Sequence, residues 1–352
     1  MRANQLMLHT GVVTVRIGFI GCGLIGRSHA TKLQEPVGEG LAKIVSAFDP
    51  DVDRAQAFGE QFAATRADSA ERVIDESDAV YVATWTAAHP ELVEMVAAAG
   101  KPVFCEKPLG VDLATSQKMV DTVEAAGVIN QVGLVLRNSP SFRWLYHQVR
   151  SGEHGAPMSM VFRDDQYIPT QGAYGSTWRG DVGKAGAGTL LEHSIHDLDL
   201  IEWILGPIER VTCLTANSHG IEGIEDQATV TLQAASGAIC TLSSTWHDVM
   251  TRPSQRLVEV LCRDGYLALD GDWHGPLRRD VNDGQSTIEA GESTIGVAAE
   301  LDGLGTNPDA AFVNAVLEGR PAYPDFRIAL RAHELCDAAY RSADRNGEPV
   351  DV

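Results

Sequence analysis

Apolar residues along the first third of the chain come in short blocks that alternate in kind. Val13–Ile20 is dense in β-branched and aromatic residues, the pattern of a buried strand, and a glycine-rich turn leads from it into a helix-like stretch near Gly26–Leu33. The rhythm repeats in Ile44–Asp49 and Asp53–Phe62, in Ala79–Thr84 and Pro90–Ala99, and in Pro102–Lys107 and Leu113–Ala126. It closes on Ile129–Leu136. Pro90 opens its helix and Gly100 follows its end, each where its backbone is tolerated. Such alternation predicts a parallel sheet covered on both faces.

After about Arg137 strand-like pieces follow one another: Ser159–Tyr167, Val211–Ser218, Ala228–Ala234, Ala238–Trp246, Arg256–Cys262 and Tyr266–Leu269. One helix, Leu190–Ile204, interrupts them and stops at Gly206-Pro207; two more, Ala310–Leu317 and Ile328–Arg345, come late. Runs of strands with few helices predict a mainly antiparallel sheet. The expected architecture is an α/β nucleotide-binding domain over residues 1–137 and an α+β domain over 138–352.

Composition narrows the partners. The formal charge is −20, with acidic residues spread along the chain, a surface that repels nucleic-acid backbones and anionic membranes. No apolar run approaches the roughly 20 residues of a membrane span. The six cysteines sit scattered in apolar runs, as buried hydrophobes of a reducing compartment rather than a disulfide framework. The opening MRANQLMLHTG has no sustained apolar stretch of a secretion signal, so a cytoplasmic enzyme is expected.

The first chemistry lies in Gly21-Cys22-Gly23-Leu24-Ile25-Gly26, a G-x-G-x-x-G between a strand and a helix, with Asp49 ending the next strand. That context makes it a dinucleotide fingerprint: the glycines admit the pyrophosphate, and the helix N-terminus faces its charge. Asp49 can accept both adenosine ribose hydroxyls and repels a 2′-phosphate, so NAD is expected and NADP disfavoured. In a parallel sheet the segments Thr84–His89 and Glu106–Lys107 emerge on the same side as this turn. Lys107, between an apolar strand and Pro108, reads as a held, partly desolvated ammonium suited to proton transfer.

A second constellation, Glu192, His196 and Asp199, falls on one stripe of the helix Leu190–Ile204, beside the apolar stripe of Leu191, Ile195 and Leu198. A solvated helix face with an incidental histidine has the same spacing. Glu192, His193, His196 and Asp197 also crowd together, but nothing supplies a zinc-motif spacing, and no metal is expected. Tyr174–Arg179 and Gly183–Gly188 read as a flexible loop offering Trp178 and Arg179 to a substrate. Arg137 and Arg179 could bind a carboxylate, cofactor phosphate or solvent.

Taken in order, these residues resemble the glucose–fructose oxidoreductase / inositol dehydrogenase / rhizopine-catabolism (Gfo/Idh/MocA) family. The resemblance rests on the glycine turn, Asp49, His89, Glu106-Lys107-Pro108, Trp178-Arg179, and the glycine-rich run into Glu192…His196…Asp199. The last helix, Ile328–Arg345, resembles the family's last helix too. Two residues depart from its pattern: Glu192 replaces the usual aspartate, and Thr84-Trp85-Thr86 replaces Thr-Pro-Asn.

The resemblance implies a Rossmann domain and a second domain whose large open sheet mediates homodimer or homotetramer contacts. It also implies that Lys107 is the catalytic lysine and that His196 hydrogen-bonds the reacting hydroxyl. The expected cofactor set is Gly21, Gly23, Leu24, Ile25, Gly26, Asp49, Thr84, His89, Glu106 and Lys107. Lys107, Trp178, Arg179, Glu192 and His196 are expected at the substrate, with Glu192 orienting His196. The expected reaction is NAD-dependent oxidation of a secondary alcohol on a sugar, inositol or aminocyclitol-like substrate. A redox-neutral glycoside hydrolase or lyase using bound NAD, and a non-enzymatic nucleotide-sensing regulator, are the competing readings.

Overall fold

The computed structural model describes residues 14–172, 174–289 and 305–352; Val13 and the opening segment read for a leader lie outside them. Strands β1 (Val15–Ile20), β2 (Ala42–Phe48), β3 (Thr65–Arg66), β4 (Ala79–Val82), β5 (Val103–Cys105) and β6 (Asn130–Val132) pair in parallel, in the order β3-β2-β1-β4-β5-β6. The chain reverses its winding between β1 and β4, and the crevice outside those strand ends is where such sheets take ligands. Gly18 in β1 is a packing requirement, because a Cβ there would come within 2.2 Å of the Ser77 hydroxyl.

The crossovers are α1 (Leu24–Lys32), α2 (Gln34–Gly38), α3 (Val52–Phe62), α4 (Ala70–Glu76), α5 (His89–Ala98) and α6 (Leu113–Ala126). Local capping sets several ends: Asp51 accepts from the Arg54 amide and Asp112 from the Thr115 amide, while Gly127 closes α6 at φ +64°. Helix α4 is absent from the pattern reading, since seven residues give too little length for a period to show.

The second sheet has nine strands among the described residues. They are β7 (Pro157–Tyr167), β8 (Ile208–Ala216), β9 (Gln227–Ala234), β10 (Ile239–His247), β11 (Gln255–Cys262), β12 (Gly265–Asp270), β13 (Leu277–Val281), β14 (Ser286–Glu289) and β15 (Val350–Asp351). Their order is β14-β13-β12-β11-β7-β10-β9-β8-β15, and all neighbours are antiparallel except β7 and β10. Strands β13 and β14, rich in charge and hydroxyls, carry little of the apolar alternation that marks the others.

One face of this sheet is covered by α7 (Pro140–Arg150), α10 (Ile195–Leu205) and the final helix Phe326–Ala343, around Phe142, Phe162, Leu198, Leu242 and Leu335. Helix α7 escaped the sequence reading because Phe, Trp, Tyr and His are mediocre helix formers. It starts where Ser139 caps it ahead of Pro140. The helix Pro308–Glu318 returns to the first sheet, where Phe312 meets Tyr81 and Phe104 edge-on. The final helix touches both cores, with Phe326 and Leu330 in the first and Leu335 and Ala338 in the second.

The helix expected over Leu190–Ile204 is broken. It divides into α9 (Thr189–Glu192) and α10, with His193 and Ser194 between them; the short α8 (Val182–Ala185) precedes α9. The Ser194 hydroxyl bonds that of Ser244 on β10 at 2.6 Å, and Thr189 joins the same hydroxyl at 2.8 Å. Side chains tied to the sheet thus outcompete the helical ladder at this step.

Candidate active site

The glycine turn joins β1 to α1. Gly21 has φ +100°, and a Cβ there would lie 2.3 Å from the Ala83 carbonyl; a Cβ on Gly26 would lie 2.3 Å from the Gly21 carbonyl. Gly23 is the opposite case, because a Cβ built on it meets nothing within 4 Å. Two glycines are therefore fixed by crowding, and the third leaves open space at the N-terminus of α1, which has no side-chain cap. Exposed amides beside that space fit a pyrophosphate. Leu24 and Ile25 form the first turn of α1.

Asp49 is buried beside the turn. Its Oδ2 accepts from the Cys22 amide at 2.9 Å, and its Oδ1 accepts from the Asp51 amide at 3.0 Å and from Arg54 at 3.1 Å. Arg54 lies at the surface, so the carboxylate keeps acceptor capacity toward an incoming ribose.

Lys107 follows β5 and reaches across to the second half of the chain. Its Nζ donates to the Glu192 carbonyl at 2.6 Å. In an unbroken helix that carbonyl would accept from the His196 amide; here the His196 amide turns to the His193 carbonyl at 3.3 Å. The break at His193–Ser194 thus frees the carbonyl that holds the lysine. Burial lowers the Lys107 pKa, with Glu192 pulling it back up and Arg179 lowering it further.

The carboxylate of Glu192 does not reach His196, contrary to the orienting role expected of it. Its Oε1 accepts from the Thr86 hydroxyl at 2.6 Å and its Oε2 from Arg179 Nε at 2.9 Å. Arg179 also donates to the Ser176 hydroxyl at 2.8 Å and lies 4.2 Å over the Trp178 ring. Trp178 itself leans on a small apolar cluster with Ile168, Ala185 and Trp246.

Nδ1 of His196 is buried with no hydrogen-bond partner among the described residues. Burial, then the Lys107 and Arg256 cations, hold its pKa well below the ordinary 6.5, so the imidazole is neutral. Behind it, Arg256 is ringed by Asp197, Asp272 and Asp164 at 2.8, 2.9 and 3.1 Å, with His193 Nε2 at 2.7 Å. Burial pushes the Asp197 pKa up to about 7 despite Arg256. Asp199, the third member of the expected stripe, faces elsewhere and grips Arg137 in a two-pronged pair at 2.7 and 2.8 Å.

The remaining expected cofactor residues, His89 and Glu106, brace the Lys107 segment. His89 turns Nδ1 to the Pro108 carbonyl at 3.0 Å and Nε2 to the Thr84 carbonyl at 3.3 Å, tying the Lys107-Pro108 turn to the end of β4. Glu106 faces inward: its Oε1 contacts His29 Nε2 at 2.8 Å, and its Oε2 accepts from the Lys107 amide at 3.2 Å. His29 Nδ1 in turn contacts Asp309 at 2.7 Å. Sequence reasoning missed His29, Asp309, Asp164 and Arg256. Asp309 lies 280 positions from His29, and no local pattern announces such a contact. Among the described residues no group of three or more His, Cys, Asp or Glu side chains is placed to hold a metal, and all six cysteines are free and buried. No described helix is long and apolar enough to cross a membrane.

Comparison with known proteins gives the family and the fold. Residues 15–134 match the family described as "Oxidoreductase family, NAD-binding Rossmann fold", and residues 142–268 match the GFO/IDH/MocA C-terminal domain. A D-apiose dehydrogenase from Paraburkholderia graminis is 27% identical, over 99% of this chain and 93% of its own. Inositol 2-dehydrogenase 4 of Saccharopolyspora erythraea is 30% identical over 73% of this chain and 74% of its own. A levoglucosan dehydrogenase in complex with NADH and levoglucosan shares the fold at TM-score 0.85 and 20% identity, covering 97% of this chain and 100% of that one.

Proposed function

This chain belongs to the Gfo/Idh/MocA oxidoreductases, and from that premise we propose that it oxidises a secondary alcohol on a neutral sugar, inositol or related cyclitol, with NAD preferred over NADP. The observation that carries the reading is the meeting of Lys107 with the Glu192 carbonyl beside a neutral His196, at the ligand-binding ends of the first sheet. The relatives named inositol 2-dehydrogenase and D-apiose dehydrogenase support the substrate class.

Gly21, Gly23, Gly26 and the first turn of α1 hold the cofactor's pyrophosphate, and Asp49 holds its adenosine ribose. Bound NAD supplies the two-electron acceptor for the substrate carbon. The chain's own part is positioning and charge. His196, neutral before the reaction, takes the substrate hydroxyl proton at a ring nitrogen. Lys107, anchored through one N–H, offers its remaining donors to the oxygen as negative charge develops there. Glu192 is already committed to Thr86 and Arg179, so it shapes the pocket and is not free to take a proton. Its charge is matched by Arg179, so Glu192 is not a spare carboxylate for an ammonium group. We therefore place aminocyclitols behind neutral ring polyols.

The uncovered face of the second sheet exposes Val161, Ile239 and Leu261, and there we place a homodimer or homotetramer contact. The test is NADH absorbance over a panel of inositols, aldoses and aminocyclitols, with NAD and NADP in parallel. Sustained NADH from a neutral ring polyol, weaker with NADP, is the expected result. Cofactor binding without net NADH on any substrate would overturn the reading.

A further inference from the structure

His29 is buried in the first domain, and the reaction as derived gives it no task. It lies on the buried side of α1, one turn beyond Gly26. Both ring nitrogens meet carboxylates, Asp309 at 2.7 Å and Glu106 at 2.8 Å, and all three residues are buried. An uncompensated charge at such depth is costly, so the three stand or fall together. Gly133 completes the seat, because a Cβ there would lie 2.0 Å from Glu106 Oε1.

The network ties three elements to one point. His29 belongs to α1, Asp309 to the helix Pro308–Glu318, and Glu106 to the end of β5, where its second oxygen accepts from the Lys107 amide. Asn307, which caps the Pro308–Glu318 helix, also donates to the Lys32 carbonyl at the far end of α1.

We propose that His29 and Asp309 are positioning residues that hold Glu106, and through it Lys107, in register with the helix whose N-terminus receives the cofactor. The inference rests on Lys107 being the reacting cation. The imidazolium screens Lys107 from the adjacent Glu106 carboxylate. The other charges facing Lys107 are Glu192, Arg179 and Arg256; those facing His29 are Asp309 and Glu106, with the Tyr81 hydroxyl against Asp309.

Two variants pull in opposite directions. His29→Gln/Asp309→Asn removes one charge of each sign and leaves Glu106 unscreened, so the Lys107 ionisation in the pH profile of kcat moves up by about one unit. Turnover falls about tenfold while the NADH dissociation constant stays near wild type. Glu106→Gln keeps an acceptor for the Lys107 amide and removes the carboxylate charge, so the same ionisation moves down by about one unit. It also serves if the double variant fails to fold. Lys107→Ala is assayed alongside. If Lys107→Ala is inactive while these variants keep the wild-type profile, the network is structural only and the proposal fails. If Lys107→Ala turns over normally, the underlying reading of Lys107 fails instead.

Discussion

His29 and His196 are both buried, yet their surroundings push them to opposite states. Burial alone lowers the pKa of each. At His29 two carboxylates overcome it and raise the value from 6.5 to about 10, so the ring is a cation at neutral pH. At His196 the Lys107 and Arg256 cations add to burial and keep the ring neutral. One ring is thus held charged within the scaffold and the other neutral, the state our proposal requires of a proton acceptor. What a buried histidine can do is decided by the sign of its neighbours.

The sharpest way to break that contrast is Lys107→Ala, which removes the cation that does most, after burial, to keep His196 neutral. Turnover should drop about 10³-fold with NADH binding retained, measured by initial rates and fluorescence titration. His196→Asn comes next: it keeps a polar side chain and loses the base, and kcat should fall about 10²-fold.

Stability against pH compares the two rings in the unmodified protein. His29 has its folded pKa raised, so its contribution is complete below about pH 6.5 and is lost as pH rises toward about 10. His196 has its folded pKa lowered, so its contribution is present above pH 6.5 and is lost as pH falls below that value. Thermal melts should therefore weaken on both sides of that point, and His29→Gln/Asp309→Asn should flatten the alkaline side alone. The smallest effect is expected at Asp49, which touches neither ring. Asp49→Ala should weaken NAD binding about tenfold, the worth of roughly one hydrogen bond to a charged group, and narrow the NAD-to-NADP ratio with the pH profile unchanged.

The legible and hidden parts of the molecule divide along a related line. The glycine turn, Asp49 and the alternation of strands and helices could be read because each depends on neighbours close in sequence. Lys107 stands out in the sequence because an apolar strand and a proline bracket it. The broken helix was not, since Ser194 and Thr189 are drawn to Ser244 on a strand some fifty residues later. That break parts Glu192, which turns to Thr86 and Arg179, from His196; Asp199 stays on the His196 helix and pairs with Arg137. Among the charges that set each histidine's state, Asp309 at one and Arg256 at the other come from distant segments with no motif of their own.

The most direct test of the central claim is NADH formation by the wild-type protein and Lys107→Ala, on the best ring polyol and at cofactor concentrations saturating for both. The account predicts steady NADH from the wild type, and a variant that binds NAD normally and produces almost none. A variant that oxidises the polyol at near-normal rate would contradict it.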